Sequence, residues 1–297
     1  MISAVIYLLM GAMAIGLAPI FVKLLMTSTA VGPVAAGFWR MCIGALGFAL
    51  MILVSRTRNE SIKSIKSLLV DARSPVIMAG VFFALDLAAW HTSFAYTSVA
   101  ASTLIANLSA VLVPLAGVIF FKESFSRKIV FGGFLAVTGV ACLTLSRAVG
   151  SGGIGQHSYL LGEGLAFLTA FFYTGYMLCV KNLSKRFSSR SLMFLSSATS
   201  AAILFIIVVA SGQEFIPEQR DGWLWILMLG LISQVAGQGF IARALAVLPV
   251  SQSALILLSA PVATALFGWI ILGEALSNTQ ILSVIVTLLG IGMVANR

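Results

Sequence analysis

Asp86, Trp90 and His91 stand within the apolar stretch 75–96. A charged side chain at mid-bilayer costs about 2.5–3.5 kcal/mol on insertion scales, so it is a functional candidate by default. On a helix, Trp90 lies one turn beyond Asp86 and shares its face. His91 is adjacent to Trp90, rotated by about 100°. A carboxylate with an indole one turn away can hold a cationic group through charge and ring face. A carboxyl at that depth can also carry a coupling proton. The competing assignment is a structural ion pair with Arg40, which falls in the stretch 33–54 within roughly one helical turn of the same depth.

Polar side chains in other apolar stretches are candidates to join them. Asn107, Gln234 and Gln238 are costly in lipid unless paired, and the two glutamines lie one helical turn apart. They are read as substrate contacts, with inter-helix hydrogen bonding as the alternative. Ser253, in a serine- and alanine-rich run, either lines a wet path or serves close packing. Tyr173 and Tyr176 lie deep enough in their stretch to be cavity aromatics. Lys23 and Glu163 lie near the ends of theirs, where a lysine snorkels or the two neutralise each other. Glu123 and Glu274 each stand three residues before a serine, Ser126 and Ser277, that can cap the next helix. Both are read as turn-building residues.

Neither a metal site nor a catalytic set emerges. Cys42, Cys142 and Cys179 lie in apolar stretches without metal-ligand spacing. An intramembrane aspartyl protease needs two carboxylates at depth, and only Asp86 is central. A serine protease needs a Ser/His pair, and His91 has no supporting motif. The glycine-rich run 150–155 has no preceding strand and no following Lys-Ser/Thr, so it is a linker with no phosphate-binding role. Neither an enzyme nor a bound cofactor is expected, and no selectivity-filter motif suggests a channel.

The elements that must position these residues are membrane helices. The chain is 60% hydrophobic and 9% charged, against roughly half and a quarter in a soluble domain. Its mean hydropathy is +1.08. Ten stretches are long enough to span a bilayer, near 3–25, 33–54, 75–96, 99–121, 128–146, 159–180, 191–211, 222–245, 250–272 and 279–296. They are too long, and alternate too little, for barrel strands. The first is read as a span and not a cleaved signal. With the N-terminus in the cytoplasm, fourteen of the eighteen Lys and Arg residues fall on the cytoplasmic side and three outside. That bias predicts an N-in, C-in protein. It also accounts for the net charge of +9 without a nucleic-acid partner.

The two halves echo each other. At an offset of 151 residues, Ala95, Val99, Ser102, Leu104 and Ile105 fall on Ala246, Val250, Ser253, Leu255 and Ile256. The same offset carries Glu123-Ser-Phe-Ser126 onto Glu274-Ala-Leu-Ser277, and Gly139 onto Gly290. Five spans per half is an odd number, so the second half enters the membrane from the opposite side. The expected organisation is a five-helix repeat over 1–147, a linker over 148–158 and an inverted repeat over 159–297. Inverted repeats of this kind mark secondary transporters.

On these features the chain resembles the drug/metabolite transporter superfamily, in its ten-helix EamA-type branch. The second copy, Pro261 through Leu272-Gly273-Glu274-Ala-Leu-Ser277, is close to the family pattern. The first departs from it, with Lys122 in place of the usual glycine before Glu123. The resemblance implies that spans 1, 3, 4, 6, 8 and 9 surround a central cavity, with the others outside. It implies alternating-access transport of a small metabolite in a bacterial inner membrane. Amino-acid export is the leading expectation, and uptake of a vitamin or S-adenosylmethionine-like nutrient the alternative. The implied partners are the substrate, lipid and protons, with the protein a monomer or homodimer.

Overall fold

Proline, glycine and hydroxyl residues end the helices where the apolar runs end. Pro33 opens one helix at a position where its missing N–H is not needed. Gly212 and Gly273 close two others with positive φ values of 62° and 69°, a conformation glycine enters without strain. Ser126 Oγ accepts from Ile129 N–H at 3.3 Å. Ser277 and Gln280 form a reciprocal capping box at 3.0 and 3.3 Å.

The computed structural model describes residues 2–93, 96–97, 99–124, 126–148, 156–273 and 275–295, and these carry helices and no strands. The membrane helices are α1 (Ile2–Ser28), α2 (Pro33–Leu53), α3 (Arg73–Ser93), α4 (residues 99–121), α5 (Arg127–Ala148), α6 (Gln156–Ser184), α7 (Ser189–Ser211), α8 (Arg220–Leu245), α9 (Val250–Leu272) and α10 (Asn278–Ala295). Among the described residues nine helices are long and apolar enough to cross a membrane. The remaining stretch, α4, is two shorter apolar helices. Large apolar side chains such as Phe120, Phe134 and Ile270 face outward, as lipid contact requires.

Three membrane helices are interrupted. α1 breaks at Leu17, just before Pro19, into Ile2–Gly16 and Ala18–Ser28. α4 divides into Val99–Ala106 and Ser109–Phe121, and α9 into Val250–Ile256 and Ser259–Leu272. The α4 and α9 breaks fall at repeat-equivalent positions. In addition, α8 widens into a π-helix over Leu229–Gln238, a form concentrated at functional sites.

Packing follows an approximate two-fold. α5 packs on α10 and α2 on α7, each pair mapping onto itself, while α3 on α6 mirrors α8 on α1. The α5–α10 seam is backbone on backbone. A Cβ at Gly132 would meet the Gly290 carbonyl at 2.7 Å, and one at Gly290 would meet Ala136 N at 2.5 Å. Small residues are how lipid-immersed helices approach closely.

The structure differs from the sequence expectations in three places. The loop after α2 contains a helix, Arg58–Asp71, whose buried Ser61 and Leu68 seat it against the bundle. The first, fourth and ninth spans are broken, which mean hydropathy does not reveal because short interruptions leave it unchanged. Residue 148 ends α5 and residues 156–158 begin α6, so the helices extend into the expected linker. Residues 149–155 and Glu274 lie outside the described residues.

Candidate functional site

The three helix breaks converge on one cavity. Gly16 and Pro19 of α1, Ala106, Asn107 and Ser109 of α4, and Leu257, Leu258 and Ala260 of α9 all line it. Asp86 and Trp90 of α3, Tyr173 of α6 and Gln238 of α8 complete its walls, together with Arg40 of α2. The space amounts to about 1000 Å³ with its open mouth included. Interrupted helices leave backbone groups outside the helical ladder, which lipid-buried protein tolerates only beside a cavity or another protein surface. Here Thr264 Oγ1 donates to the Gly16 carbonyl at 2.8 Å, so α9 satisfies the broken end of α1. At the α4 break, Asn107 Nδ2 is buried without a hydrogen-bond acceptor among the described residues.

A basic and an acidic side chain, Arg40 and Asp86, line the cavity together. Arg40 is 3% exposed and Asp86 6%, and both line the space. No salt bridge joins them among the described residues. Arg40 Nε donates to Gln234 Oε1 at 3.3 Å, and its guanidinium lies 5.6 Å from the Phe83 ring centre. Gln234 Nε2 in turn donates to Ser197 Oγ at 3.1 Å. Gly44 leaves room for this chain, since a Cβ there would collide with the Gln234 side chain. Phe83 stacks on Tyr176 at 4.3 Å, and the Tyr176 hydroxyl donates to Gln238 Oε1 at 3.2 Å. The network holds Arg40 and Gln238 in place and leaves Asp86 facing the cavity. Such a wall offers a basic and an acidic side chain to a ligand carrying both an anionic and a cationic group.

Sequence comparison places this architecture among known proteins. The profile of the EamA-like transporter family matches residues 2–145 and 160–296. The chain belongs to the EamA-like transporter family. A solved structure titled "Crystal structure of protein" superposes with a TM-score of 0.79 at 17% identity, covering 98% of this chain and 96% of that one. At that identity the likeness concerns the fold alone. No curated protein matches the chain in sequence.

In this EamA-like protein the cavity brings together Asp86, Trp90, Asn107, Tyr173 and Gln238, drawn from α3, α4, α6 and α8. It leaves out four other candidates. His91 is fully buried and donates from Nδ1 to the Pro33 carbonyl at 2.7 Å. Ser253 donates to the Pro249 carbonyl one turn back at 2.8 Å. Tyr176 and Gln234 stand behind the wall as supports. Both glutamines lie in the π-helical segment of α8, where Gln238 lines the cavity and Gln234 bonds Arg40. Among the described residues Arg40 forms no salt bridge with Asp86 and hydrogen-bonds Gln234. Lys23 and Glu163 are exposed and line no part of the cavity. Glu123 does more than build its own turn, since its carboxylate reaches α9.

Sequence reasoning missed Pro19, Thr264 and Phe83. Pro19 carried a usable signal, because a proline inside an apolar span marks an interruption. Thr264 and Phe83 carried none, as their roles depend on neighbours far along the chain.

Proposed function

We propose that this protein is a secondary transporter of a bacterial inner membrane, moving a small zwitterionic metabolite outward by alternating access. An amino acid or close relative is the substrate class that fits best. The observation that carries this reading is the placement of Arg40 and Asp86, a basic and an acidic side chain, on one cavity without a salt bridge between them among the described residues. In the bound state Arg40 takes the substrate carboxylate, Asp86 takes its ammonium, and Trp90 and Tyr173 flank the rest. The paired breaks in α4 and α9 support the location, since discontinuous helices at matched positions mark transport sites in inverted-repeat proteins. A proton on Asp86 competes with the substrate ammonium, which would couple the two.

The test is binding and vesicle transport with charge-deleted ligands. Asp86→Asn should weaken binding of a free amino acid by at least about tenfold, the effect of losing one charge-assisted contact. It should leave an N-acetylated analogue unaffected. Arg40→Gln should do the reverse, sparing an amino-acid amide. If both variants bind the zwitterion as the parent does, the assignment fails. Transport with and without an imposed proton gradient, in the parent and in Asp86→Asn, decides the coupling.

A further inference from the structure

Two charged side chains hold the turn between α8 and α9 from opposite sides. α4 ends in a left-handed turn at Lys122, whose φ is 52°. There Glu123 N–H donates to the Gly117 carbonyl at 3.2 Å. This turn carries the Glu123 carboxylate onto α9, where it accepts Val250 N–H at 2.8 Å, Ser251 N–H at 3.0 Å and Ser251 Oγ–H at 2.5 Å. On the other side of the same turn, Lys181 of α6 is 3% exposed. Its ammonium donates to the Leu245 carbonyl at 2.8 Å and also to the Leu248 carbonyl. Each charge suits its helix end, with the cation on the carbonyls that close α8 and the carboxylate on the amides that open α9. Gly117 permits the approach, since a Cβ there would meet Ser251 Oγ at 2.5 Å.

This contact departs from the two-fold. The second segment of α4 packs on the first segment of α9. The symmetry-equivalent pair would be the first segment of α4 and the second of α9. Among the described residues they pack instead on α5 and α6, and on α1, without comparable contact between them. One end of the pathway thus has an α4–α9 contact that its symmetry-equivalent lacks among the described residues. Lys181 and the α8–α9 turn belong to the same half of the chain, whereas Glu123 crosses from the other half.

We propose that Glu123 is a gating residue: its bonds to Val250 and Ser251 hold the α4–α9 end shut, and the cavity opens to that side when they break. The inference rests on the alternating-access reading above, yet its test needs no substrate. Ala254, on the first segment of α9, lines the cavity. In full-length protein with Cys42, Cys142 and Cys179 replaced by serine, Ala254→Cys serves as a reporter in vesicles. A membrane-impermeant maleimide is added from the side bearing the α8–α9 turn. With Glu123 present, labelling should be slow. Glu123→Gln should speed it roughly tenfold by raising the population open to that side. Ser251→Ala removes one of the three bonds and no charge, so it should give a smaller increase and keep the test decisive if the first variant folds poorly. Unchanged or slower labelling in folded variants overturns the gate. A substrate assignment that fails while labelling accelerates leaves the gate standing.

Discussion

Arg40 Nε donates to Gln234 Oε1 at 3.3 Å, and Gln234 is itself held by Ser197 at 3.1 Å. A glutamine read as a substrate contact thus positions the cation that lines the cavity. Gln234→Leu should leave that guanidinium N–H without its acceptor. Unsatisfied buried groups cost about 1–3 kcal/mol, more when charged. Thermal unfolding in detergent should fall accordingly, and affinity for a carboxylate-bearing ligand should drop several-fold. Gly44→Ala should give the same affinity loss by displacing Gln234. Unchanged affinity in both variants would show that Arg40 needs no such support.

Lys122 occupies the left-handed conformation that its repeat counterpart Gly273 occupies as glycine. The strain of a side chain there is about 1–2 kcal/mol. Lys122→Gly should raise the unfolding temperature, with a gain of roughly 1 kcal/mol after the added freedom of the unfolded chain is counted. A lower unfolding temperature would contradict this.

The α5–α10 seam predicts a contrast between two glycines. A Cβ on Gly290 would meet Ala136 N and the Gly132 carbonyl at 2.5 Å, both backbone atoms that cannot swing aside. Gly290→Ala should destabilise by about 1–3 kcal/mol, as overpacking does. Gly292→Ala meets nothing within 4 Å and should be nearly neutral. Equal unfolding curves for the two variants would refute the packing argument.

Thr264 bonds the Gly16 carbonyl at 2.8 Å. Thr264→Val keeps the shape and removes that bond. It should destabilise by about 1 kcal/mol and weaken substrate binding by loosening the α1 break beside the cavity. Thr264→Ser should restore both. The comparison is made by unfolding and binding on the same preparations, and a valine variant indistinguishable from the parent would dismiss the clasp.

The sequence by itself determined the all-helical membrane class, the approximate positions of the spans, and the capping serines Ser126 and Ser277. Hydropathy and helix capping are local, so a run of twenty apolar residues or a serine three residues before its target amide carries the information directly. It also singled out Asp86, because an ionisable residue is conspicuous in an apolar run. Tertiary structure decided the rest. The breaks in α4 and α9 hide in sequence because two short apolar helices average to the same hydropathy as one long helix. Whether Arg40 pairs with Asp86 or leans on Gln234 depends on three helices meeting at one point. That Gln238 lines the cavity while Gln234 holds Arg40 depends on which helices pack around α8. Glu123 sits 128 residues from Ser251, and only folding brings its carboxylate to the amides of α9. Hydrogen bonds act over about 3 Å, so such partners are chosen by the packed fold and not by any local pattern.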